Sequence, residues 1–290
     1  MRRAFTVMFS NIFGLDFSGA RLAGRNTWIA RLEPSARGRR RPAHRLAELS
    51  SLEDLCGTAG RGAALAHLVS MVRLSDQALW ALDFPFGLPI EVMREGARWP
   101  DQLDFLYAWG DDDYGVGLEC LRRAKSLGGP NHIRRLTDIE AKAPFDPYHY
   151  RISYQTFYGM RDVLGPLWRR RHTAILPFQY RRLVSARRVL VEACPDSTLK
   201  RMGLPHQNYK QPEGGPLTAK RRRTRHVILE GLAERVSISD SQRRTIMRNG
   251  GGDALDAVIT ALGAVRSWGS CDHRQIYRHP RYPREGRLYV

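Results

Sequence analysis

The chain has 290 residues, enough to bury one large core or two small ones. Its 42% hydrophobic and 26% charged residues exclude a disordered chain, and no apolar run approaches the ~20 residues that cross a bilayer. Lysine and arginine outnumber aspartate and glutamate by 47 to 29, and the resulting net charge of +18 favours polyanionic partners, nucleic acid above all.

Met1-Arg2-Arg3 and the apolar stretch after it imitate a secretion signal. Asn11 interrupts that stretch and Asp16 closes it, so it reads as a buried strand. Residues 5–17 and 26–33 predict two strands joined by the turn Ser18-Gly19-Ala20. A basic loop carrying Arg39-Arg40-Arg41 leads to a short strand near 45–49. Ser51 with Asp54 three residues on predicts a capped helix start, and Leu55, Leu65, Leu68, Val69 and Val72 continue it at helical spacing to residue 74. Residues 78–82 are the fourth strand. Residues 85–185 form a long aromatic and basic insertion, with helices predicted near 101–109, 113–126 and 154–170. A fifth strand at 188–192 follows, then a Pro/Gly-rich loop at 205–218, a basic helix at 219–235 and an apolar helix at 253–268. The tail from residue 271 is irregular, with a candidate last strand at 287–290. The cysteines Cys56, Cys120, Cys194 and Cys271 form no CxxC pair, which fits a reducing cytoplasm.

This order predicts a single α/β domain over 1–290, built on a mixed five-stranded sheet flanked by helices. The first three strands would form a meander, and the insertion would lie between the fourth and fifth. The first and fourth strands then become parallel neighbours.

Three of the apolar runs end on an acid: Asp16, Asp83 and Glu192. In open α/β sheets, working residues gather beyond the carboxyl ends of the strands. Asp253 and Asp256 open the last long helix, and with Thr260 they share one stripe at i, i+3, i+7. Each acid has an ordinary explanation: Asp16 and Asp83 as turn caps, Asp253 and Asp256 as first-turn acids, Glu192 as the partner of a buried arginine. Their joint placement instead predicts one concentrated negative site, which a divalent cation would neutralise.

The segments Phe13-Gly14-Leu15-Asp16-Phe17-Ser18-Gly19-Ala20, Leu82-Asp83-Phe84-Pro85-Phe86-Gly87-Leu88-Pro89, Val191-Glu192-Ala193-Cys194-Pro195, Asp253-Ala254-Leu255-Asp256-Ala257 and Glu285-Gly286 stand in an order that spans nearly the whole chain. In that order the chain resembles an uncharacterised family described as predicted nucleases of the RNase H fold. The resemblance implies an RNase H-like sheet, with Asp16 as the first-strand acid and Asp83 as the fourth-strand acid. Asp253 and Asp256 would match the acid pair on the last helix of Holliday-junction resolvases. Glu192 is a feature of this particular family. The insertion departs from a minimal RNase H core, so substrate choice does not transfer.

The expected activity is hydrolysis of nucleic-acid phosphodiester bonds, with two Mg²⁺ or Mn²⁺ ions held by Asp16, Asp83, Asp253 and Asp256, and with Glu192 as a further catalytic candidate. Arg39, Arg40, Arg41, Arg169, Arg170, Arg171, Arg181, Arg182, Lys210 and the Lys220–Arg225 run, with Lys220, Arg221, Arg222 and Arg223 foremost, are the candidate phosphate contacts. Tyr148, Tyr150, Tyr154, Phe157 and Tyr158 are candidates for stacking on unpaired bases. The rival readings are a non-catalytic nucleic-acid-binding protein and a phosphotransferase of the sugar-kinase and actin superfamily, which needs a second sheet domain.

Overall fold

Strand β1 (Asn11–Asp16) is apolar on both sides, and the chain buries both. Ile12 faces one core, while Phe13 and Leu15 face the other. The computed structural model describes residues 9–35 and 42–290 and shows an α/β arrangement around one mixed sheet. Besides β1 the sheet contains β2 (Trp28–Pro34), β3 (His44–Ser51), β4 (Ala78–Asp83), β5 (Thr173–Ile175), β6 (Arg188–Glu192) and β7 (Val236–Ser237). Their order across the sheet is β5-β6-β4-β1-β2-β3-β7. The meander β1-β2-β3 is antiparallel, and β4, β5 and β6 run parallel to β1.

Seven strands replace the five expected. The five read from the sequence are the five central ones, and β5 and β7 are added at the edges. Those two are three and two residues long, too short for any alternation to be read in the sequence. The expected helix at 51–74 divides into Leu52–Cys56 and Arg61–Leu74, because Gly57 adopts a left-handed conformation (φ 70°) that closes the first piece. The capping box of Ser51 and Asp54 is present. The expected strand at 287–290 reduces to a single bridge between Glu192 and Leu288. Among the described residues there is one sheet, so the second sheet domain that a sugar-kinase-like chain needs is not found. No described helix is long and apolar enough to cross a membrane.

Each face of the sheet has its own core. Phe13, Leu15, Trp80, Leu82 and Leu190 point to the side covered by the Arg61–Leu74 helix and the insertion. Ile12, Leu79, Ala81, Val189 and Val191 point to the side covered by the helices Ala219–Ala233 and Asp253–Ser270. Gly14 sets the distance on that second side. A Cβ there would stand 2.1 Å from the Ala257 carbonyl oxygen, so only glycine lets the Asp253–Ser270 helix lie directly on β1.

Candidate active site

Asp16 and Asp83 are register partners on adjacent parallel strands, which run about 4.8 Å apart. Alternation along each strand puts both side chains on the face with Ile12, Leu79 and Ala81, under the Asp253–Ser270 helix. Neither acid caps a turn. The turn after β1 is closed by the Ser18 hydroxyl accepting from the Ala20 N–H, and by Thr27 Oγ1 accepting from the Ser18 N–H. The loop after β4 is fixed by Gln102, whose Oε1 accepts from the Leu88 N–H, and by Trp99, whose indole donates to the Phe86 carbonyl.

The helix brings its acids to the same place. Its N-cap is Gly252, left-handed at φ 92°, where a Cβ would press on the Lys210 side chain. Asn249 finishes the helix start, accepting from the Ala254 N–H and donating to Asp253. Asp256, one turn in, is fully buried. It accepts a 2.9 Å hydrogen bond from the Tyr209 hydroxyl and pairs with the Lys210 ammonium. Thr260, the third member of the stripe, is fully buried as well.

The electrostatics follow from this crowding. Burial raises the Asp16 pKa well above the carboxylate range; Lys210 opposes the shift, while Asp256, Asp253 and Asp83 add to it. Burial, then Asp256, pushes the Asp83 carboxyl up to about 8. Burial also raises Asp256, with Lys210 and Tyr209 working against it. Among the described residues, no hydrogen bond or ion pair reaches the carboxylate of Asp16 or of Asp83.

Glu192 lies elsewhere. It is in register with Leu82, one position short of Asp83, so alternation turns it to the opposite face, with Leu190. There it is buried against Arg135, whose two terminal nitrogens reach its two oxygens. Arg135 also binds Asp138 and the Glu285 carbonyl, which fastens the insertion and the C-terminal tail to β6. Burial works against the Arg135 charge, yet Asp138 and Glu192 hold its pKa above the ordinary value.

The basic candidates divide. Arg39, Arg40 and Arg41 lie outside the described residues. Arg169, Arg170 and Arg171 precede β5, and Arg182 binds back to the Trp168 and Arg170 carbonyls. Arg181 faces Tyr277, with its guanidinium carbon 6.0 Å from the ring centre. This group gathers where the parallel strands begin, the end opposite Asp16 and Asp83. Lys210 is in the site itself. Lys220, Arg222 and Arg223 are exposed at the start of their helix, and Arg221 is tied to Gln211 and Glu213. Arg225, expected at the surface, is fully buried and spends its guanidinium on backbone carbonyls. Of the aromatics, Tyr148, Phe157 and Tyr158 are core residues. Tyr154 is half-buried near Asp16, and Tyr150 is 70% exposed.

Tyr209 and Arg225 carry no motif that marks them as site residues. Only the apolar character of the following helix positions Ile228, Leu229 and Leu232 hints that Arg225 shares their buried side. Comparison with protein-family models, curated proteins and solved structures finds no match to this chain.

The donors present suit a hard divalent cation: they are all oxygen, and two of them lack any proton donor. Among the described residues no three acidic, histidine or cysteine side chains form a ready metal cage. Mg²⁺ does not need one, since it keeps several waters and is bound through one or two carboxylates plus substrate phosphates.

Proposed function

We propose that this protein is a divalent-metal-dependent nuclease on an RNase H-like fold, and that Asp16 and Asp83 are its central pair. The observation that carries this reading is the register pairing of two carboxylates with no donor, Asp16 buried and Asp83 partly buried, at the carboxyl ends of two central parallel strands. The reading is supported by β1 lying between antiparallel β2 and parallel β4, as the order of elements predicts, with a long helix across β1.

Asp16 and Asp83 would hold Mg²⁺ or Mn²⁺, with Asp253 and Asp256 closing the far side of a two-ion site. The metal, when bound, supplies Lewis acidity at the phosphodiester and a more acidic attacking water. The protein supplies the rest. Burial, with repulsion from Asp256, holds the Asp16 and Asp83 protons in the free protein, so both groups are poised to exchange a proton for a cation. Lys210 offsets the charge of Asp256, which lowers the repulsion felt by an approaching phosphate. The N-terminal end of the Asp253–Ser270 helix adds a partial positive charge on the same side. Glu192, occupied by Arg135, serves to anchor the tail and not to hold metal.

The test is cleavage of labelled single- and double-stranded DNA and RNA with Mg²⁺ or Mn²⁺. Asp16→Asn keeps the side-chain shape but removes the anion, so cleavage should fall by orders of magnitude while oligonucleotide binding survives or tightens. Equal activity in EDTA, or an Asp16→Asn protein as active as wild type, contradicts the proposal. One observation favours a non-catalytic nucleic-acid binder instead: an ammonium already neutralises Asp256. Metal-independent binding with no cleavage of any of the four substrates would establish that alternative.

A further inference from the structure

A cleft of 510 Å³ opens between residues 215–217 and the Asp240–Arg248 helix, lined by Arg222, Arg244 and Arg248 with Gly250 at its edge. All three arginines are exposed, no carboxylate lines the cleft, and no described acid lies within ion-pair distance of any of the three. That contrasts with Arg31, Arg123, Arg161 and Arg281, each of which holds an acid. Three unpaired guanidinium groups converging on one concave surface make a site for several phosphate oxygens.

The cleft and the acids share one scaffold. The buried Arg225 donates to the carbonyls of Tyr209 (2.6 Å), Ile246 (2.6 Å), Asn249 (2.6 Å) and Gly250 (2.7 Å). Through Tyr209 it fixes the segment that grips Asp256, and through Ile246, Asn249 and Gly250 it fixes the wall and edge of the cleft. Gly250 stands three residues before Asp253, a chain span of at most about 11 Å. Successive phosphates of one duplex strand are spaced about 3.4 Å along the axis.

We infer that this cleft holds the sugar–phosphate backbone of a nucleic-acid strand, its edge within about three nucleotides of Asp253 at the start of the helix that covers Asp16 and Asp83. The inference rests on the nuclease reading for its register but not for its binding test. Arg222, Arg244 and Arg248 are binding residues, and Arg225 is a positioning residue that keeps cleft and acids at a fixed separation.

The test is fluorescence anisotropy of a labelled oligonucleotide with the full chain in EDTA, over a range of salt concentrations. Wild type is compared with the cleft variant Arg222→Ala/Arg244→Ala/Arg248→Ala and with a charge-matched control, Arg73→Ala/Arg266→Ala/Arg274→Ala. Arg73 lies just before β4 begins, and Arg266 lies ~20 Å along the last long helix from Asp253. The cleft variant should bind at least about tenfold more weakly, with a salt slope shallower by roughly 2–3, at ~0.7–0.9 for each phosphate released. The control should keep most of the slope, and a triple lysine replacement in the cleft should recover most of the affinity. Equal weakening by cleft and control variants, or an unchanged slope in the cleft variant, overturns the inference even if wild type cleaves. Arg-dependent binding in EDTA, with no cleavage once Mg²⁺ or Mn²⁺ is supplied, leaves the cleft standing and overturns the nuclease reading. A wild type that binds no oligonucleotide overturns both.

Discussion

Two sets of strand-end carboxylates sit one register position apart, on opposite faces of the same sheet. Glu192 faces a guanidinium that occupies both of its oxygens and is itself bound by Asp138. Asp16 and Asp83 face each other and the acids of a helix, with no donor of their own. Burial penalises charge on both faces, but the guanidinium binds Glu192 directly, whereas the one ammonium on the other face pairs with Asp256 and leaves Asp16 and Asp83 without a partner. A paired buried acid is a fastening, whereas an unpaired pair leaves a free-energy deficit that a bound cation removes. The contrast separates the structural acid from the candidate functional ones without reference to any relative.

The contrast can be broken most forcefully from the paired side. Arg135→Ala leaves Glu192 and Asp138 buried without their cation, so stability should fall by ~3–5 kcal/mol, with or without metal. Denaturant unfolding measures it, and a loss below about 1 kcal/mol would mean that the fastening is not structural. Glu192→Gln keeps the shape and one acceptor, so the expected loss is smaller, ~1–3 kcal/mol, and equally independent of metal. If that variant instead lost metal-dependent stabilisation as Asp16→Asn does, Glu192 would belong with the functional acids.

The unpaired side is sharpened by pH. The Asp83 pKa stands at about 8 in the folded chain against an ordinary 3.8, and that of Asp16 is raised in the same direction. The folded state therefore keeps protons that the unfolded chain releases. Their stabilising effect is complete below about pH 4 and is lost as pH rises through about 8. In EDTA, wild type should lose stability across that window, and Asp83→Asn should flatten the loss and be the more stable protein above it. A wild-type curve that is flat or rises across the window would contradict the unpaired state of these acids. The smallest effect is expected at the hinge between the two helix-borne features. Gly252→Ala forces a left-handed alanine against Lys210 and should lower the thermal midpoint by the equivalent of ~1 kcal/mol.

Much of this was legible in the sequence, and the exceptions have physical causes. β1, β4 and β6 are continuous apolar runs ending on acids, so their existence, order and carboxyl ends could be read directly. Register could not. The displacement of Glu192 by one position, which moves it to the other face, depends on backbone pairing that no apolar pattern encodes. Arg135, the partner of Glu192, is 57 residues away inside the insertion, and nothing in its neighbourhood distinguishes it from the other arginines. Arg225 read as one of a basic run because charge suggests a surface, and only four converging carbonyls reveal why it is buried. The helix stripe Asp253, Asp256, Thr260 was readable because its periodicity is local, and Gly14 shows why that helix can reach the sheet.

The central claim is that Asp16 and Asp83 form a cation site to which the described residues supply no direct donor. The most direct measurement is the thermal unfolding midpoint of wild type and of Asp16→Asn/Asp83→Asn, titrated with Mn²⁺ or Mg²⁺ at constant ionic strength. An ion bound only by the folded state raises the midpoint with concentration, by about 2.7 kcal/mol at a hundredfold excess over Kd. The account predicts that rise in wild type and its near-complete loss in the double variant, which should nevertheless be at least as stable as wild type in EDTA. A wild-type midpoint indifferent to both metals, or an equal rise in the two proteins, would contradict it.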